Sequence, residues 1–227
     1  MSDTSLAPAP TISIELVRAL LQGTGADASQ QALCIQRAGI APALLQQPGA
    51  RVTTGQFAGL YRLLAQLHDD ETPGMFARPL RGGTLKFLCL SLVGSPSLLT
   101  ALYRFTQYFR LLLDDLHFAL RTRGPLVQMA LLPRSEAVRQ NLFAQKMMLK
   151  LVHGVASWLA GQKIPLAQVD FSHARPEQGA ESVFLYPGPQ RFAQPEMALW
   201  FELPQLQMPV RQSAQSIAGF LARAPGD

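Results

Sequence analysis

The chain is poor in charge. Of its 227 residues only 15% are Asp, Glu, Lys or Arg, against about 25% in an average soluble domain. With 48% hydrophobic residues beside it, that scarcity excludes a chain kept open by charge over most of its length and predicts one sizeable core. Cysteine is nearly absent: Cys34 and Cys89 cannot build a disulfide framework or, alone, a zinc site, and both fall in apolar helix-like stretches. A reducing, cytoplasmic setting is the expectation. Unbroken apolar runs are missing too. The most hydrophobic window, Leu85 to Leu113, is interrupted by Lys86, Gly94, Pro96, Arg104 and Arg110, so nothing in it is long enough to span a bilayer. The first residues, MSDTSLAPAP, lack the basic and apolar regions of a signal peptide, and residues 1–11 read as a disordered lead-in.

Catalytic and metal motifs are lacking as well. The four histidines (68, 117, 153 and 173) form no HExxH-type pair, and no CxxC, GxSxG elbow or P-loop is present. GTGADA (23–28) matches a dinucleotide fingerprint only nominally, because it follows a helix and not a strand, so no cofactor is expected. Asp114 and Asp115 are adjacent at a helix-to-strand corner, where neighbours point apart, and a turn or capping role is expected of them.

What is there is a pattern of helices followed by short strands. Apolar residues recur at helical spacing over 12–21, and two short helices are expected over 29–37 and 41–47. A third, opened by Thr53 and Thr54, places Phe57, Leu60, Leu64 and Leu67 on one face. After the loop 69–84, rich in Pro and Gly, LKFLCLSLVG reads as a short buried helix. Ser95 and Pro96 then suggest a cap and a first helical position for a helix with Leu98, Leu102, Phe105, Phe109 and Leu112 inward, running to Asp114. From Leu116 the period becomes two and returns beyond RTRGP, which predicts an antiparallel hairpin. Ser135 and Glu136 open a long, largely buried helix to about Ala160. A strand over 167–171, a short helix over 176–186, a final pair of strands in RFAQ and ALWFE, and a weak helix over 212–223 complete the reading. The fold class is α+β: a helical N-terminal half packed with a small, mainly antiparallel sheet and one long buried helix.

The net charge is +5, and sixteen of the twenty basic residues are Arg. Between Glu71 and Asp114 there is no acid, while Arg78, Arg81, Lys86, Arg104 and Arg110 lie there and equal the net charge. One reading is that their stems cover apolar surface and their heads meet water or carboxylates. The other is that Arg78, Arg81 and Lys86, beside the Gly82-Gly83-Thr84 turn, converge with Arg104, Tyr108 and His117 on an anionic small-molecule effector. No exposed recognition helix of a helix-turn-helix appears in the stretch, so direct DNA contact there is not expected.

The same residues carry a family look. RPLRGGTLKFLCLSLVGSPSLLTALYRFTQYFRLLLDD (78–115), FSHARPE (171–177), QRFAQPEMALWFELPQLQMPV (190–210) and SIAGFLARAPGD (216–227) occur in an order that resembles the N-terminal, arabinose-binding-like effector-sensing domain of AraC-type transcription regulators, in the branch of ornithine-utilisation regulators. The resemblance implies a bacterial, small-molecule-responsive regulator, usually a homodimer, that touches DNA only through a C-terminal pair of helix-turn-helix units. It implies a ligand-sensing and dimerisation domain over 12–210, with 211–227 the start of a linker to that module, which this chain lacks. On this reading an effector binds between the helical half and the sheet and shifts the population of two arrangements of the dimer or linker. An enzyme with a dispersed site and a pure oligomerisation module are the rival readings.

Overall fold

The computed structural model describes residues 11–175 and 186–223. Three of the first four helical elements begin on the same device, a side-chain oxygen that accepts an orphan N–H of the first helical turn. Ser13 accepts from Glu15 N at 3.2 Å to start α1 (Ile14–Gly23), Asp27 from Gln30 N at 2.8 Å to start α2 (Ala28–Arg37), and Thr53 from Gln56 N at 3.1 Å to start α3 (Thr54–His68). In α2 and α3 the glutamine returns a bond to the capping residue's N–H, so two orphan groups are satisfied at once. Helix α1 buries Ile14, Val17 and Leu20, and α3 buries Phe57, Leu60 and Leu64, while Leu67, on the same stripe by spacing, is exposed. The segment expected as a helix over 41–47 is a short 3-10 helix, Pro42–Gln46.

Residues 12 and 13 are not helical. Strand β1 (Thr11–Ser13) pairs antiparallel with β2 (Arg51–Thr53), with Ile12 opposite Val52. Three-residue strands 40 residues apart leave no turn signal between them, so local spacing cannot reveal the pair. The helix LKFLCLSLVG is α4 (Thr84–Leu92), and α5 (Leu98–Leu112) follows it. The cap of α5 is Ser97, which accepts from Thr100 N at 3.2 Å; Pro96 lies outside the helix and not at its first position. Ser95 is buried instead and receives a bond from Arg104.

The hairpin forms as the alternation predicts: β3 (Leu116–Arg123) and β4 (Leu126–Pro133) pair antiparallel in register from Leu116 opposite Pro133 to Arg123 opposite Leu126. They open a five-stranded sheet whose order is β3-β4-β7-β5-β6, with β5 at Gln168–Asp170, β6 at Gln190–Arg191 and β7 at Ala198–Glu202. The two late strands are not partners of each other. β7 lies antiparallel between β4 and β5, and β6 runs parallel to β5 on the far edge. Helix α5 covers the inner face, where Phe105, Phe109 and Phe118 form one aromatic cluster with centroids 4.7 to 5.4 Å apart.

The long helix is two. α6 (Glu136–Gln140) ends at Asn141, whose side chain then caps α7 (Leu142–Ala160) by accepting from Ala144 N at 3.0 Å. The apolar stripe continues across the break, which is why periodicity does not see it. Buried Gln145 heals it, donating from Nε2 to the carbonyls of Val138 and Arg139 at 2.9 Å each. α7 buries Leu149, Val152, Ala156 and Leu159. The helix expected over 176–186 falls, but for Tyr186, outside the described residues. After β7 come a one-turn helix α8 (Leu203–Leu206), a 3-10 turn (Ala214–Ser216) and the terminal helix α9 (Ile217–Arg223). α9 docks through Phe220, stacked on Trp158 of α7 with centroids 4.8 Å apart. Among the described residues no helix is long and apolar enough to cross a membrane.

Buried His153 on α7 meets the Ile164 carbonyl through Nε2 at 2.7 Å, and burial lowers its pKa. A histidine held neutral in the fold but free to charge when unfolded contributes stability above its unfolded pKa of about 6.5, which fades as pH falls from there towards the folded value. Urea midpoints should therefore be flat from pH 8 to 6.5 and decline below; His153→Gln, which keeps a donor for Ile164, should reduce that decline. His173, also lowered by burial, contributes in the same direction. An unchanged slope in the variant would remove His153 from the account.

Candidate functional site

The acids Asp69, Asp70 and Glu71 stand just before the acid-free window, and the structure uses all three to hold it. Asp70 is buried and accepts from Thr72 N at 2.9 Å, the Thr72 hydroxyl at 3.1 Å, Leu80 N at 3.0 Å and Gly74 N at 3.1 Å. Asp69 accepts from Gly82 N at 3.0 Å and from the Arg81 guanidinium at 2.8 Å, and these bonds, Arg81's first, hold its carboxyl below the usual range. Glu71 accepts from Gly83 N at 2.7 Å and Leu85 N at 2.6 Å, so its charge sits at the start of α4, where the helix dipole favours an anion. Asp115 adds a tie from beyond α5, accepting from Ala77 N at 2.9 Å. The loop between α3 and α4 is thus pinned to four carboxylates through its own N–H groups.

Behind this loop lies a cavity of about 260 Å³, just under the roughly 300–1,000 Å³ of common ligand pockets. Tyr61, Arg62 and Ala65 of α3 form one side and Met147, Met148, Lys150, Leu151 and Gly154 of α7 the other. The pinned loop supplies Glu71, Thr72, Met75 and Leu80, α4 supplies Thr84 and Leu85, and α5 supplies Phe109. Phe220 and Leu221 of α9 close it. Its surface is mostly apolar, and its hydroxyls are committed: Tyr61 donates to the Glu71 carbonyl at 2.7 Å and Thr84 to the Arg81 carbonyl at 2.7 Å. Burial, then Asp70 and Glu71, raise the Tyr61 pKa and keep it a donor. Burial, then Glu71, push the neighbouring Cys89 thiol up to about 12, which leaves it a packed side chain and not a nucleophile. Among the described residues no group of three or more His, Cys, Asp or Glu could hold a metal.

A helical shell thus surrounds a mostly apolar cavity. The sequence profile of the arabinose-binding domain of AraC transcription regulators, N-terminal, matches residues 25–210. The chain belongs to this family. No curated protein matches it significantly. In this AraC-type domain the matched span takes in α2 to α8, and the cavity's α9 wall lies past its end.

The six residues singled out by charge do not line the cavity. Arg81 pairs with Asp69, both exposed; such a pair contributes little to stability. Arg104 reaches across to α4, donating to the Ser95 hydroxyl at 3.1 Å and the Ser91 carbonyl at 3.4 Å. Tyr108 donates to the Thr84 carbonyl at 2.8 Å, so it and Arg81 adjoin the cavity through Thr84. Arg78 and Lys86 are exposed. His117, on β3, alternates with Leu116 and Phe118 and so faces away from α5. In the Gly82-Gly83-Thr84 turn, read as a place for an anionic effector, the N–H groups of Gly82 and Gly83 meet the chain's own Asp69 and Glu71, and that of Thr84 meets the Arg81 carbonyl at 3.0 Å. The cavity wall carries two other cations that the charge distribution does not single out, Arg62 and Lys150. Lys150 interrupts the apolar run of α7 in mid-helix, and that interruption was the available signal.

Proposed function

We propose that this AraC-type domain senses a small molecule in the cavity bounded by α3, α5, α7 and the pinned loop. The observation that carries the reading is that Phe220 and Leu221 of α9 are part of the wall, so filling the cavity and seating the terminal helix are one event. An effector that binds only when α9 is docked shifts α9 towards the docked state by its differential affinity. In the regulator, that shift alters a DNA-binding part outside this chain. The family is one of regulator sensing domains, which supports a sensor over the enzyme reading. A homodimer in the cytoplasm belongs to the same reading, and sedimentation that finds only monomer removes the dimer alone.

Thermal-shift screening against a metabolite collection tests it. A ligand at a hundredfold excess over its Kd should add about 2.7 kcal/mol, and hydrogen exchange over 217–223 should slow in its presence. Arg78→Ala and Arg104→Ala should leave affinity unchanged, whereas an effector held by the basic window would lose it. A bound ligand that leaves exchange in α9 untouched would sink the coupling.

A further inference from the structure

The wall chemistry speaks to what kind of molecule fits, granted that the cavity is the sensing site. A sugar presents hydroxyls on every side, and each one buried without a partner is costly. Apart from the cations Arg62 and Lys150, this wall offers little to pair them. The Tyr61, Thr72 and Thr84 protons already go to Glu71 O, Asp70 Oδ1 and Arg81 O, and each Glu71 oxygen already accepts a backbone N–H. The apolar part, by contrast, is broad: Met75, Phe109, Met148, Leu151 and Phe220 come from three separate helices and the loop, and thioether and ring surfaces mould to flat or flexible apolar bodies. The positive charges of the wall are Arg62 and Lys150, on facing helices α3 and α7. Arg62 also donates to the Ala222 carbonyl of α9 at 3.4 Å, so the cation that would meet a ligand's charge also holds the terminal helix.

We propose that the cavity takes a compact apolar monocarboxylate, its aliphatic or aromatic body against Met75, Phe109, Met148 and Phe220 and its carboxylate at Arg62 and Lys150, and that it does not take a sugar. Glu71 does not oppose the assignment, because its charge is answered by the start of α4. A planar carboxylate suits the guanidinium fork of Arg62, and a charge-assisted bond of this kind is about twice as strong as a neutral one.

Calorimetric titration of the intact chain with benzoate and hexanoate, their neutral amides, and L-arabinose decides the matter. The expected result is saturable binding of at least one carboxylate, its amide weaker by about tenfold or more, and no binding of arabinose. Arg62→Gln and Lys150→Gln, at half-exposed or exposed positions that tolerate the change, should each erase the preference for acid over amide. Ala65→Phe, which puts a ring into the cavity, should abolish binding, and circular dichroism reports whether it stays folded. Amide or arabinose binding as tight as the acid's, lost in Ala65→Phe, overturns the ligand class and leaves sensing at the cavity standing. Carboxylate binding that survives Ala65→Phe in a folded protein overturns the site and, with it, the sensing reading. No binding by any of the probes overturns the class.

Discussion

Gly74→Ala should unfold the domain or cost more than about 4 kcal/mol, the range reserved for a few severe mechanisms. Two of them meet at this residue. Gly74 has φ +65°, in the left-handed region that side-chain-bearing residues rarely adopt. An added Cβ would also stand 1.8 Å from the Gly23 carbonyl oxygen and 2.7 Å from the Thr24 Cα, backbone atoms that cannot swing aside. Gly74→Asn separates the causes, since asparagine tolerates the left-handed region while its Cβ meets the same oxygen; it should be nearly as damaging. Chemical denaturation measures both, and a cost under about 1 kcal/mol for either would show that the contact between the loop and the end of α1 yields easily.

Asp70→Ala should cost about 3–5 kcal/mol, because the buried N–H groups of Thr72 and Leu80 and the part-buried one of Gly74 lose their acceptor together. Asp70→Asn should recover only part of it: its oxygen replaces Oδ1, but its amide then points a donor at Gly74 N. The alanine variant should also fail to bind any cavity ligand at temperatures where it remains folded, since Met75 and Leu80 of the wall are positioned by this carboxylate. Because Gly74 and Asp70 act on one loop, the double variant should be less unstable than the sum of the singles predicts. Full additivity in a two-state denaturant series would mean that the carboxylate and the glycine hold separate things.

The division between what spacing reveals and what it hides follows the reach of each interaction. Helices α2, α3 and α5 and the β3–β4 hairpin are written in periods of 3.6 and 2 and in capping residues within four positions of their targets, so they were legible. The β1–β2 pair, the break at Asn141 and the seat of Pro96 depend on partners far along the chain or on one residue's backbone angles, and no local pattern encodes them. The site was harder still. Met75, Phe109, Met148 and Leu151 look like core residues because a cavity wall and a core are made of the same side chains. The basic window lacks acids, yet those immediately before it serve it: Asp69 pairs with Arg81, and Asp70 and Glu71 accept its backbone N–H groups.

The stack of Phe220 on Trp158 has an optical consequence. The chain's other indole, Trp200, is on β7, where its Nε1 donates to the buried Asp170 carboxylate at 2.6 Å. Of the two tryptophans, then, Trp158 alone is roofed by the terminal helix. Its emission wavelength serves as a native gauge of whether that helix is seated, and Trp200 is the internal reference against which the gauge is read.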